Sequence, residues 1–351
     1  MKHFYIVTAL IFISISHLSA QTTDVITGLD EPFGMALNGN DLYFTEPFID
    51  KISKIDITDT EPIAIEVITG VGGVDGMLLI GNDLYMAVRG VGKISKINIT
   101  DATPVLVDVV TGLAGPSRFA LNGNDLFFSE FDGGKISKID ITETMPVAID
   151  VVSGLAGPAG IVLDNNDLYI AELDENKISK INITDATPIA LDVVVGLDDP
   201  GALLLNGNDL YIGEVEGLKI SRIDITDATP TATNVVVGLA GPVDMALDGN
   251  DIYIVETDAN KITKAVLPPV SITENRLTKT LKVYPNPTQD VLNVTASSPI
   301  KTLELINISG QTITTISNTN SIDLSSFSSG FYMLNVTDIY GNSGKIKVQK
   351  N

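Results

Sequence analysis

The chain has no cysteine and no tryptophan, and its two histidines are His3 and His17. Both histidines lie in an N-terminal stretch that reads as a removable leader, so the expected mature chain lacks histidine as well. These gaps exclude a good deal of chemistry. Ser-His-Asp and Cys-His catalysis, zinc sites built on His or Cys, disulfides and thiol redox reactions all lose their essential side chains. An exported chain without disulfides must be stabilised by core packing alone. The absence of tryptophan removes the aromatic best suited to stacking on a sugar ring. Positive charge is scarce too: residues 21–276 carry 15 Lys and Arg against 40 Asp and Glu, a net of −25, whereas residues 277–351 carry 6 against 4, a net of +2. So acidic a segment repels nucleic acid and anionic membranes, attracts cations or basic partners, and in the simplest case serves solubility. No segment shows a sustained apolar period of 3.6, so helices are not expected.

What is present begins with the leader itself. Residues 1–20 combine Lys2, an apolar run from Phe4 to Ile15, and the small residues Ser19 and Ala20, which is the pattern of a secretory signal peptide cut between Ala20 and Gln21. No other stretch approaches the roughly 20 apolar residues that cross a bilayer, so the expected mature chain is exported, without a transmembrane segment, and monomeric.

Residues 21–266 restate one phrase, best read at Asn166–Leu197, that begins again at Val25, Val67, Val109, Val151, Val193 and Val235, always 42 residues apart. Each copy reads as four short strands. In the fourth copy these are Gly160–Leu163, Leu168–Glu172, Lys177–Ile183 and Pro188–Val195. Asn38-Gly39, Asn122-Gly123, Asn206-Gly207 and Asp248-Gly249 supply the positive φ that tight hairpins require. A four-stranded unit of about 40–45 residues has the spacing of a β-propeller blade. Six copies predict an all-β, six-bladed β-propeller. The copies start on an outer strand, so Thr22–Thr27 is expected to close the ring as the outermost strand of the last blade. Pro62, Pro104, Pro146, Pro188 and Pro230 are expected to open the outer strands, where a missing N–H is tolerated. Residues 267–281 form a linker, and residues 282–351 a second, small all-β domain of sandwich type.

Two resemblances follow from particular residues. Val283-Tyr284-Pro285-Asn286-Pro287, then Leu303–Gly310, then Ser329–Lys350 resemble the C-terminal sorting domain of the type IX secretion system. That resemblance implies passage through the outer membrane of a Bacteroidetes-type bacterium, with residues 282–351 read by the secretion machinery, and an extracellular or outer-membrane-surface location. The motifs Gly154–Pro158 and Asp167–Glu172, with the Lys-Ile-Ser-Lys-Ile strand, are similar to NHL-type, SMP-30-like and streptogramin-lyase propellers. The lyase activity of that group depends on a histidine that the expected mature chain lacks, so only the fold carries over.

The candidate site residues come from the fixed and the broken positions of the repeat. In a propeller the loops entering the innermost strand and the loops between the second and third strands share one face. Glu46, Glu130, Glu172, Glu214 and Glu256 occupy one equivalent position there. They are either a ring of oxygen donors suited to Ca²⁺, Mg²⁺ or a basic partner, or hairpin partners of Lys51, Lys135, Lys177, Lys219 and Lys261 five residues on. The second copy has Val88 in place of the glutamate, Val74 in place of the loop proline, and Arg89 beside it. The position held by Gly34, Gly76, Gly160 and Ala202 becomes Arg118 in the third copy and Asp244 in the sixth, on opposite blades. Arg118, Asp244, Arg89 and Asp75 are therefore the candidate ligand-binding residues near the axis, set against simple drift among redundant repeats. Ca²⁺ is expected at most as a weak ligand of the acidic loops: no EF-hand spacing occurs, so the sequence points to no specific metal site, and no other cofactor is implied. The expected role is a binding module for an extracellular protein or small ligand rather than an enzyme. The alternative is a carboxylate- or metal-dependent hydrolase or lactonase, since two close acids work without histidine.

Overall fold

The computed structural model describes residues 20–267, 281–296, 299–307, 312–317, 319–338 and 343–351. The leader, apart from Ala20, and residues 268–280 of the linker lie outside the described residues. The first strand, β1 (Thr22–Thr27), precedes blade 1, which comprises β2 (Met35–Asn38), β3 (Asp41–Glu46), β4 (Lys51–Asp56) and β5 (Ile65–Thr69). Blades 2 to 5 repeat this order as β6–β9 (Val74–Thr111), β10–β13 (Pro116–Ser153), β14–β17 (Pro158–Val195) and β18–β21 (Pro200–Val237). Blade 6 has β22 (Pro242–Asp248), β23 (Asp251–Glu256) and β24 (Lys261–Val266), and its fourth strand is β1.

The closure expected from the phase of the repeat is thus present: Thr22 pairs with Ala265, Thr23 with Lys264 and Thr27 with Lys261, all antiparallel. The core closes in the same place. Met35, Leu42 and Phe44 of blade 1 pack in one cluster with Val243, Ala246, Tyr253 and Val255 of blade 6. Neighbouring blades cover both faces of each sheet, which explains why the second strands are apolar on consecutive residues: in β3 every residue after Asp41 is buried. On the third strands, Lys54, Lys96, Lys138, Lys180 and Lys264 each reach back to an aspartate at 2.7–3.0 Å and lie over an aromatic ring of the second strand at 5.4–6.0 Å. The repeated lysines are therefore anchored to their own blades.

The prolines sit elsewhere than expected. The outer strands begin at Ile65, Val107, Ile149, Leu191 and Thr233, three residues after Pro62, Pro104, Pro146, Pro188 and Pro230. The chain needs those extra residues to come round from the preceding turn before its first pairing, as from Thr58-Asp59-Thr60-Glu61-Pro62 to the pair Lys54 with Ile65 in blade 1. The inner strands begin earlier than expected, on the loop proline itself in blades 3 to 6.

The tail is a sandwich of two sheets. One contains β25 (Lys282–Tyr284), β26 (Val291–Thr295) and β29 (Ser321–Asp323); the other contains β27 (Ile300–Ile306), β28 (Thr312–Ser317), β30 (Gly330–Asp338) and β31 (Ser343–Lys350). Leu292, Val294 and Ile322 of the first sheet share a core with Leu303, Leu305, Leu334, Val336 and Val348 of the second.

Candidate axial site

The inner strands of blades 2 to 6 carry an irregularity near their start, such as the register shift between Pro116 and Phe119 in β10. Two residues there oppose one on the second strand, and such a bulge re-aims a side chain. Three blades have glycine at this point for a steric reason, and a fourth has the small Ala202. A Cβ on Gly34 would lie 2.6 Å from the carbonyl oxygen of Asp75, and one on Gly160 would lie 2.6 Å from that of Gly201. The throat of the ring is therefore lined by backbone carbonyls that approach the neighbouring blade closely.

Arg118 and Asp244 stand in this throat. The Arg118 backbone N–H donates to Ser129 Oγ at 3.0 Å, and Ser129 in turn donates to the carbonyl of Ala159 in blade 4 at 2.7 Å. Its guanidinium donates through Nη1 to the Asp75 carbonyl and through Nη2 to the Val243 carbonyl at 2.9 Å. It therefore bridges blades 2, 3 and 6, with the Phe33 ring 5.3 Å beneath it. Nη2 is 3.8 Å from Asp244 Oδ2, and Nε is buried without a hydrogen-bond partner among the described residues. Asp244 accepts the N–H of Met35 at 2.8 Å and of Met245 at 2.9 Å. Burial raises its proton affinity above the ordinary carboxylate range, against the opposing pull of Arg118 and those two N–H donors.

The other two candidates join the same group. Arg89 contacts Asp75 at 3.4 Å and Asp132 at 2.9 Å and lies over the Phe131 ring at 4.2 Å. Burial raises the Asp75 carboxyl, while Arg118 and Arg89 pull it down. All four deviant residues are thus brought together. Beneath them runs a cavity of about 320 Å³ along the inner strands, lined by Met35, Met77, Phe119, Ile161, Leu203 and Met245, one from each blade. An ion pair at 4 Å contributes roughly 4 kcal/mol at an effective dielectric of 20. Desolvating each ion costs several kcal/mol, which leaves little net stabilisation. Glycine or alanine fills the same position in the other four blades, so ring closure does not require these charges.

The five glutamates do not converge on the axis. Glu46, Glu130, Glu172, Glu214 and Glu256 are all at least 97% buried within their blades. Each lies 2.6–3.7 Å from the lysine five residues on. Each also accepts the backbone N–H of the loop residue sixteen positions earlier: Asp30, Ala114, Ala156, Asp198 and Ala240, at 2.6–3.0 Å. The hairpin-partner reading describes them, with a loop-fixing role that spacing alone did not show. Blade 2 demonstrates the substitution rule. Val88 and Val74 replace glutamate and proline and pack together in the core, and Lys93 turns to Asp108 at 2.7 Å. No group of three or more acids among the described residues is arranged to hold a metal ion.

Comparison with known proteins bears on both domains. Residues 282–349 match the family of secretion system C-terminal sorting domains. That tail sends the chain through type IX secretion to the surface or exterior of a Bacteroidetes-type bacterium. No curated protein matches the sequence. Among solved structures, the chain is similar to virginiamycin B lyase from Staphylococcus aureus, at 18% identity and a TM-score of 0.54, over 71% of this chain and 99% of that one. A gluconolactonase from Xanthomonas campestris aligns at 13% identity and a TM-score of 0.58, over 71% and 90%. An auxiliary nutrient binding protein from Bacteroides ovatus aligns at 13% and 0.58, over 70% and 76%. These likenesses show the propeller fold. Among the described residues no helix is long and apolar enough to cross a membrane.

Proposed function

We propose that the propeller is a binding module, displayed or released by its sorting tail, that takes an extracellular ligand at the axial group of Arg118, Asp244, Asp75 and Arg89. One observation carries the reading: the four residues that break the repeat most sharply adjoin one another, with Arg118 and Asp244 lining the central cavity and Asp75 and Arg89 linked to them. Repetition accounts for the glutamates and lysines, and it does not account for these. The unpartnered Nε of Arg118, the Asp244 carboxylate held by two backbone N–H groups and the Asp75 carboxylate held by Arg89 offer a donor and acceptors to a small polar group. The fold likeness to a nutrient binding protein is in keeping with this role. A screen of small extracellular metabolites and peptides by thermal shift, with the Arg118→Met and Asp244→Asn variants alongside, tests it. Ligands that stabilise all three proteins equally would remove the axial site. Ca²⁺ is proposed only as a weak, dispersed counterion of the acidic loops; equal Tm values in Ca²⁺ and in EDTA are expected, and a large Ca²⁺-dependent rise would call for a specific site.

A second reading, a carboxylate- or metal-dependent hydrolase or lactonase, is favoured by the raised proton affinity of Asp75 and Asp244 beside a cavity. Lactone hydrolysis by the purified protein, followed by proton release with and without divalent cations and lost in Asp75→Asn, would move the assignment to this reading.

A further inference from the structure

The mouth of the cavity lies on a face whose two halves differ chemically. The turns between second and third strands occupy Pro47–Asp50, Arg89–Gly92, Phe131–Gly134, Leu173–Asn176, Val215–Leu218 and Thr257–Asn260. Each is tied by backbone hydrogen bonds to the adjoining entry loops, such as the Val71 N–H to the Asp50 carbonyl and the Arg89 N–H to the Gly73 carbonyl. In blades 1 and 2 the middle of the turn presents Phe48, Ile49 and Val91, which are 73%, 44% and 66% exposed. The same positions in blades 3 to 6 present Asp132, Asp174 and Glu175, Glu216, and Asp258. The entry loop between the two apolar turns adds no bulk, since Gly73 abuts Gly90, and sets Gly72 against the Asp50 carboxylate, so the apolar tips stand beside an exposed acid. The propeller's other scarce feature, arginine away from the repeated strands, falls on the inner border of this half as Arg89 and Arg118, stacked on Phe131 and Phe33.

Convex turn tips suit a macromolecular surface better than a small molecule, which needs a cleft. Exposed aromatic and aliphatic side chains beside ring-stacked arginines have the composition of an interface centre, and the acidic turns have that of a steering rim. The net of −25 over residues 21–276 selects the partner's charge. We propose that this face docks a protein that sets an apolar side chain on Phe48, Ile49 and Val91 and lays Lys or Arg residues over Asp174, Glu175 and Glu216. The proposal rests on the binding-module reading and names the partner class for it.

The test uses the whole mature chain and a random peptide library displayed on phage as the probe. Enriched peptides are expected to combine Lys or Arg with aromatic or large aliphatic residues. Their affinity should fall roughly tenfold or more in the double variant Phe48→Ser/Val91→Ser. It should weaken with added salt, and more steeply for the parent than for Glu175→Gln/Glu216→Gln. A rim variant, Ile63→Ser/Val105→Ser, removes comparable exposed apolar surface just before the outer strands and should bind like the parent. Peptides without basic residues, or peptides that bind the Phe48→Ser/Val91→Ser variant undiminished, would overturn this surface. If such peptides instead lose affinity in Arg118→Met, the axial binding reading stands and only the docking face falls. Absence of any enrichment would overturn the docking face, and the metabolite screen on Arg118 and Asp244 decides the binding-module reading separately.

Discussion

At the scale of residues, two kinds of buried charge serve two purposes. The glutamate in five blades is a local device: it satisfies one loop N–H and one lysine within its own blade. Glu172→Ala should leave the buried Ala156 N–H without its partner, while Lys177 keeps Glu175 and Asp192, a loss of about 1–3 kcal/mol. Urea denaturation of the two proteins checks this. Glu172→Val combined with Pro158→Val copies the Val74–Val88 packing of blade 2 and should lose less than Glu172→Ala does. Asp75 and Asp244 make stability depend on pH. Burial raises their proton affinity in the folded chain, whereas the unfolded chain ionises near the ordinary value of about 4. Above that pH the unfolded chain has released protons that the fold retains, so stability falls as pH rises from about 4 toward the raised folded values. The Asp75→Asn/Asp244→Asn variant lacks that fall. Its Tm minus the parent's should therefore increase between about pH 4 and 7, and a flat difference would contradict the raised affinities.

At the scale of elements, the ring depends on one strand taken from the far end of the domain. β1 makes five register pairs with β24, and its Val25 and Ile26, with Leu29 beyond it, pack against the cluster shared by blades 1 and 6. At about 1 kcal/mol net per backbone hydrogen bond, deleting residues 21–28 removes on the order of 5 kcal/mol before any apolar term. That is comparable to the whole stability of many domains. Calorimetry should show a large drop in Tm or loss of the cooperative transition; near-parental stability would contradict closure by β1. The outer-strand prolines show where reading by elements fell short. Proline in an extended run suggests a strand end, but the position of the first pairing depends on how many residues the turn consumes, which is set by the geometry of the hairpin in three dimensions.

At the scale of the whole molecule, the acidic propeller and the near-neutral tail divide labour. The tail matches a sorting family and the propeller does not depend on it for any of its blades. Removing residues 282–349 should leave the chain inside the outer membrane, with the full-length chain at the surface or in the medium. Immunoblots of cell fractions and culture fluid check this outcome, and undiminished release of the truncated chain would contradict the tail's role.

The sequence by itself determined the blades, their number, the closing strand and the destination. Each of these follows from local patterning: a 42-residue period, strand-forming runs between Asn-Gly turns, and a tail signature that needs no tertiary context. It also marked Arg118 and Asp244 as departures, because a repeat makes departures visible. Only the tertiary structure decided what the marked residues do. The throat is built by six segments far apart in the chain, and its lining of backbone carbonyls shows in the sequence only as Gly34, Gly76 and Gly160, which do not say what each one faces. Arg118 reaching the Val243 carbonyl, 125 residues away, is therefore legible only in three dimensions. The glutamates show the converse. Their even spacing allowed either a ring of oxygen donors or pairs with the lysines five residues on, and burial without a partner is so unfavourable for a charged group that each is held by its lysine and a loop N–H.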